Sequence, residues 1–242
     1  MDKHKSSLGW IAVAVLGAYA IVRRRGARGG STDDEAYGPL PGDEIIPHPM
    51  VETTHAVTID APPASVWPWL MQAGYRGAGR AGWYGDSLIN KPFELVLRLL
   101  VPAGNMPERE WASSPRTLLP GFGEPAIGDI IPDGPPGTAW FEVRRIERER
   151  VYALYSNTHL KWVSPNFLRG TRWESFGEFT WVFVLRPTPG GGTRLILRTR
   201  ANYGPPIVRA VFEPMLYIAE AIWPDLILNG IRGRAEEAAA AR

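Results

Sequence analysis

Trp83-Tyr84-Gly85-Asp86 is the stretch whose residue types best suit ligand chemistry. Two amphipathic aromatics and a carboxylate directly follow a glycine-rich loop, Gly74 to Gly85 (GYRGAGRAGWYG). Indole and phenol rings bring apolar area with one polar tip each, which suits a largely apolar pocket with a few placed polar groups. Asp86 has two readings: it caps a following helix, or it supplies a polar group at a pocket mouth. A carboxylate at a mouth is also a candidate for acid–base work.

More aromatics lie further along. Phe179, Trp181, Phe183 and Leu185 fall on one face of an alternating run. Trp140, Tyr155, Trp181 and Tyr217 add polar tips that a plain aliphatic core does not require. Met215 lies on the apolar stripe of a C-terminal helical pattern. The candidate ligand-contact set is therefore Trp83, Tyr84, Asp86, Trp140, Tyr155, Trp181, Phe183 and Met215. Ordinary core packing is the alternative for the same aromatic face.

Other chemistry is missing from the sequence. With no cysteine there is no disulfide framework, no Cys-ligated zinc and no cysteine nucleophile. His4, His48, His55 and His159 are not at metal-ligand spacing from one another. His55 reads as a strand residue and His159 as a loop residue. Gly77-Ala-Gly79-Arg-Ala-Gly82 matches G-x-G-x-x-G, but a helical pattern precedes it instead of a strand, and Asp86 is too near to serve as the ribose acid. It reads as a mobile loop. No cofactor, metal or catalytic set is assigned.

The elements that must position these residues follow from pattern. The chain has 242 residues, 45 % apolar and 21 % charged, which excludes a disordered chain and a polytopic membrane protein. Residues 1–28 hold six basic residues against Asp2, a net of +5, so the rest carries −3 of the total +2. A slightly acidic domain lacks the electrostatic footprint for nucleic acid.

Leu8 to Val22 is uncharged over fifteen residues. As a helix it covers roughly 22 Å, short of the ~30 Å hydrocarbon core, with Lys5 and Arg23 able to snorkel. Residues 1–25 are read as a single-pass transmembrane anchor, with a signal peptide as the rival. Arg23-Arg24-Arg25 behind the span puts the main domain in the cytoplasm. Residues 26–50, rich in Gly, Pro, Ser, Asp and Glu, are read as a flexible linker. The folded domain is expected over 51–242.

Within it, Thr53–Asp60 alternates as a strand, and Pro62-Pro63 opens a helix that runs to about Gln72. A second helix is expected over 87–100. Strands are expected over 138–148, 151–157, 177–186 and 193–201, the last with Arg194, Arg198 and Arg200 facing water. One wet and one dry face indicates an antiparallel sheet. A long helix, about 207–240, ends the chain, with kinks at Pro214 and Pro224.

The order and several motifs resemble the START-like (SRPBCC, helix-grip) superfamily, and a bacterial branch of it. The matching pieces are Thr58-Ile59-Asp60-Ala61-Pro62-Pro63, Val66-Trp67-Pro68-Trp69-Leu70, Gln72, Gly74 and Ala81-Gly82-Trp83-Tyr84. Gly128-Asp129-Ile130-Ile131-Pro132, Thr193-Arg194-Leu195, Leu228-Asn229-Gly230-Ile231-Arg232 and Arg234-Ala235-Glu236 also fit. The resemblance implies an α+β helix-grip fold, a curved antiparallel sheet around a long C-terminal helix with an apolar cavity between them. It carries over no catalytic set, and the segment about 92–125 is extra. Three functions compete. One is a membrane-tethered module that binds or transfers a lipid, isoprenoid or polyketide-like molecule. Another is a cyclase or dehydratase using a cavity carboxylate or Tyr. The third is a structural protein whose cavity is filled by its own side chains.

Overall fold

The computed structural model describes residues 3–85, 114–160 and 168–241, without the side chains of 3–15, 207–212 and 215. The expected helix over 87–100, Asp86 and the side chain of Met215 lie outside the described residues.

Six strands form one antiparallel, curved sheet. They are β1 (Val51–Ile59), β2 (Ile130–Pro132), β3 (Trp140–Glu147), β4 (Val151–Ser156), β5 (Phe176–Pro187) and β6 (Thr193–Gly204), in the spatial order β1-β6-β5-β4-β3-β2. Between β1 and β2 stands helix α3 (Pro63–Gln72), which carries Pro68 in its interior. The chain ends in α4 (Pro206–Glu220) and α5 (Trp223–Ala240).

The single long C-terminal helix of the sequence reading is thus two helices. Pro224 lies in the first turn of α5, where its missing N–H leaves no helical bond unmade, so the chain breaks and restarts there instead of kinking. Pro214 stays inside α4.

The concave face of the sheet grips α5 and α3. Ile59, Val66, Trp67, Leu70, Phe141, Tyr152, Leu154, Phe183, Leu185, Leu195 and Leu197 are buried there with Ile227, Leu228 and Ile231 of α5. The grip is close at one point. Tyr84 takes a left-handed backbone (φ 61°), and its carbonyl oxygen would lie 2.2 Å from a Cβ on residue 230. Only glycine lets α5 approach this far.

The convex face is not wet. Leu40, Ala56, Val151, Ala153, Val182, Val184 and Ile196 form a second buried layer there. Val182 and Val184 alternate with Trp181 and Phe183, so β5 is apolar on both faces, the mark of a strand covered on both sides. The cover is the stretch read as a flexible linker. Residues 26–50 instead hold the end of α1 (Lys3–Arg28), the one-turn helix α2 (Asp33–Tyr37) and a 3₁₀ turn at Asp43–Ile45.

Arginine pairing fixes this strap. Arg198, expected in water, is 1 % exposed. Its five N–H groups meet five acceptors: Glu35 O at 2.6 Å, Ala36 O at 3.0 Å, Gly38 O at 3.0 Å, Asp43 Oδ2 at 2.9 Å and Thr54 Oγ1 at 3.1 Å. The first three are carbonyls at the end of α2 that no helical N–H can reach. Arg194 forks onto the Glu35 carboxylate at 2.8 and 2.7 Å. The hydrogen bond from Arg194 holds that carboxyl well below its ordinary value, to about 2. Polar composition suggested a linker, but the polar residues are spent on the strap's own backbone and on the sheet.

The expected transmembrane helix is not borne out. Residues 3–28 do form a helix, but no helix among the described residues is long and apolar enough to cross a membrane. Its C-terminal end is docked on the domain. The Gly26 carbonyl accepts from His55 Nε2 at 2.9 Å, and Arg25 pairs with Asp225 at 3.3 Å.

Candidate functional site

Three chain segments meet at one end of the sheet: the glycine-rich loop, the turn after β2 and the end of β4. The loop is closed by its own backbone. Gly74 and Gly82 exchange backbone hydrogen bonds at 3.3 and 2.9 Å, and both need positive φ (133° and 77°) to do so. Inside it, Arg80 donates to Met71 O and Ala73 O, both at 2.6 Å, and so caps the end of α3 with a cation. Partial burial lowers the Arg80 pKa from its ordinary value. The loop thus delivers Trp83 in a fixed place.

Trp83 donates its indole N–H to Asp133, the first residue beyond β2. Its ring meets Trp181 edge-on at 5.0 Å and Phe141 at 5.7 Å. Phe141 stacks on Trp181 at 5.1 Å and meets Phe179 at 5.3 Å. His159 closes the cluster against Phe141 at 4.9 Å and Phe179 at 4.8 Å. These are edge-to-face and offset spacings that favour aromatic pairs.

His159 is held from both sides. Nε2 lies 2.7 Å from Asp133 Oδ2, and Nδ1 lies 2.6 Å from Ser156 Oγ. Ser156 Oγ also accepts from the Thr158 N–H at 3.2 Å and lies 3.0 Å from Thr158 Oγ1. Thr158 Oγ1 accepts from the Trp140 N–H at 3.0 Å and donates to Trp140 O at 3.1 Å.

His159 thus bridges Asp133 and Ser156, and the Ser156–Thr158 hydroxyl pair links that bridge to the Trp140 backbone.

The chemical capacity follows. Both nitrogens of His159 are taken by protein groups, and Asp133 accepts on both oxygens. The pair ties Trp83, the β2 turn and the end of β4 into a rigid rim. It reaches a ligand as an acid or base only if Ser156 or Asp133 first gives way.

Deeper on the same face, Phe183 stacks on Tyr152 at 6.4 Å, and Trp67 meets Tyr152 at 6.3 Å. Burial pushes the Tyr152 phenol well above its ordinary value, and its hydroxyl has no hydrogen-bond partner among the described residues. Along β5, burial decreases toward the rim. Leu185 and Phe183 are sealed, while Trp181 and Phe179 on the same face are only partly buried.

The eight sequence candidates divide. Trp83 and Trp181 come together at the rim. Phe183 is in the core. So is Tyr84, which donates its hydroxyl to Trp69 O at 2.7 Å and accepts from Gln72 at 3.0 Å. Trp140 and Tyr155 alternate with the inward Phe141 and Leu154 and therefore lie on the convex side. There Tyr155 donates to Glu178 at 2.9 Å under the Arg144 guanidinium. Asp86 and the Met215 side chain lie outside the described residues.

Sequence reasoning missed Asp133 and its pairing with His159, which are 26 positions apart and share no motif. The one signal was the Gly128–Pro132 turn leading to Asp133. No group of three or more His, Cys, Asp or Glu among the described residues is placed to hold a metal ion.

No family model and no curated protein matches the chain. Solved structures similar to it include protein MLL2253 from Mesorhizobium loti. The pair shares 15 % identity over 77 % of this chain and 97 % of that one, at a TM-score of 0.39. A conserved protein from Geobacillus kaustophilus shares 14 % identity over 78 % and 97 %, at 0.40. The Zhui aromatase/cyclase from Streptomyces sp. R1128 shares 11 % over 77 % and 93 %, at 0.29. The chain's own arrangement is six antiparallel strands in one curved sheet closed by C-terminal helices. This is a helix-grip arrangement. In helix-grip terms the Trp83–Trp181 rim lies at one end of the sheet, and the Phe183 layer lies deeper along β5.

Proposed function

We propose that this helix-grip domain binds an apolar, ring-bearing small molecule against the concave face of its sheet, with Trp83, Trp181 and Phe179 as the contact wall. The observation that carries this reading is the burial gradient along β5, from sealed Phe183 to partly open Trp181. A domain that filled its own interior would close both. The paired state of His159 and Asp133 supports binding over catalysis, because neither group is offered to a ligand. The finer identity of the ligand as lipid, isoprenoid or polyketide-like belongs to the same proposal. So does membrane placement through Leu8–Val22, with the domain on the cytoplasmic side.

The test is a titration with a fluorescent fatty acid and with a quinone analogue, reading tryptophan emission. Saturable quenching that Trp181→Ala weakens supports the reading. No quenching by either probe sinks it.

A second reading, a cyclase- or dehydratase-type enzyme, has the Asp133–His159 pair in its favour. It requires His159→Gln to abolish turnover of a bound polyketide-like substrate while leaving probe binding intact.

A further inference from the structure

Among the described side chains of helix α1, two large apolar ones are uncovered. Leu16 and Ile21 are 66 % and 71 % exposed, and at the neighbouring α4–α5 corner Ile218 and Trp223 are 43 % and 36 % exposed. Single exposed apolar residues are ordinary, but a set of large ones on two adjacent helices marks an interaction surface.

The two helices are locked together. Arg23 lies over the Tyr217 ring at 5.3 Å, and a Cβ on residue 26 would lie 2.3 Å from Tyr217 O. Beneath them His55, fully buried, joins α1, α4 and α5. Its Nε2 donates to Gly26 O at 2.9 Å and lies 3.9 Å from Glu220, and its Nδ1 lies 3.5 Å from Asp225. Asp225 also takes Arg25, and Glu220 accepts from Thr53 at 2.5 Å. The C-terminal end of α1 is therefore docked beside the corner.

Three arginines follow the apolar run directly: Arg23 and Arg24 are exposed, and Arg25, also exposed, pairs with Asp225. Basic residues flanking an exposed apolar helix suit an anionic bilayer surface.

We propose that α1 and the α4–α5 corner form one face that rests on a lipid bilayer carrying anionic headgroups. The inference builds on the membrane placement proposed above and adds contacts from the folded domain itself. Ile218 and Trp223 enter the headgroup layer beside α1, and the domain is held in one orientation instead of swinging on a tether.

Flotation of the full chain with phosphatidylcholine vesicles, with and without phosphatidylglycerol, tests this. Three chains are compared: wild type, Ile218→Asp/Trp223→Asp, and Leu16→Asp/Ile21→Asp. Thermal melts verify that each is folded. Wild type is expected to float with the anionic vesicles and to be released by salt. The corner variant is expected to bind about tenfold more weakly, the scale of withdrawing two apolar side chains from the interface. If the corner variant floats like wild type while the α1 variant does not, the chain is simply tethered and the corner claim fails. If wild type floats with neither vesicle, corner and tether fail together. If lipid-free wild type is a dimer that the corner variant dissociates, the face belongs to a second copy and the proposal is overturned.

Discussion

Trp181 and Phe183 stand two positions apart on one face of β5, and only one of them is closed off. Phe183 stacks on Tyr152 and is fully buried, while Trp181 meets Trp83 edge-on at 5.0 Å and keeps part of its surface open. The two alanine variants should therefore fail differently. Phe183→Ala removes a packed core ring and should destabilise by ~3–5 kcal/mol. Trp181→Ala loses less packing, about 1–3 kcal/mol, and should weaken an apolar probe by a similar amount. Paired melts and titrations measure this, and equal destabilisation with unchanged probe affinity contradicts it.

His159 and Asp133 should behave as a unit. Each single alanine variant strands a charge-assisted partner at the rim, at about 1–3 kcal/mol. Removing both should then add less than the sum of the singles. Loss of Asp133 also frees the Trp83 indole, so Asp133→Ala should shift tryptophan emission and His159→Ala much less. A double-mutant cycle that sums additively shows the two to be independent.

The sequence was most legible where residue types alternate along a strand or mark a helix start, although both faces of the sheet turn out to be covered. The alternation in β1 and β6, the Pro-Pro start of α3 and the aromatic row on β5 all carry a period, and all are present. What lay outside a period was lost. The strap over 26–50 has neither helical nor strand repeat, because carbonyl–arginine pairs hold it instead of an apolar stripe. Arg198 looked like a solvated residue since nothing in its neighbourhood names the five acceptors that surround it. Trp140 and Tyr155 were assigned to the ligand by residue type, although strand parity against Phe141 and Leu154 already turned them outward. The rim pair Asp133–His159 was hidden by distance along the chain.

Arg198 is the strap's central pin, so its loss should exceed that of a surface arginine. Arg198→Leu leaves Asp43 and three carbonyls of the α2 end without their buried donor. Breaking a buried pair of this kind destabilises by ~3–5 kcal/mol. Arg198→Lys should recover only part, because one ammonium has three donors for five acceptors. Limited proteolysis should cut within 31–46 in the leucine variant first. Protection equal to wild type contradicts the assignment.

Where the chain is cut at its N-terminus should decide whether the domain survives. Removing residues 1–18 keeps the contacts that Arg23, Arg25 and Gly26 make with the domain and should leave the melting temperature within a few degrees of the full chain's. Removing 1–30 strips Gly26 O from His55, Gly29 O from the Ala56 N–H and Gly30 O from Arg194. A buried imidazole left without its acceptor alone costs about 1–3 kcal/mol. The shorter chain should melt clearly lower or fail to fold. Identical melts would return residues 26–30 to the status of a linker.

Glu220 sets a pH dependence whose sign can be worked out. Burial pushes its carboxyl above the ordinary 4.5, while the neighbouring His55 and the Thr53 hydroxyl pull it back in part. A group whose folded pKa is raised contributes stability that is present below its unfolded value and is lost as pH rises through the folded one. From about pH 4.5 upward, then, ionising Glu220 should erode the junction of α4 with β1. Glu220→Gln removes that proton equilibrium and keeps an oxygen to accept from Thr53. Its melting temperature should match or fall below wild type near pH 4.5 and exceed it at pH 8, so that the two curves cross. His55 and Asp225, which face the same cluster, are present in both chains. Curves that run parallel from pH 4.5 to 8 would mean that the Glu220 carboxyl keeps one protonation state throughout, held there by His55, and would overturn the assignment.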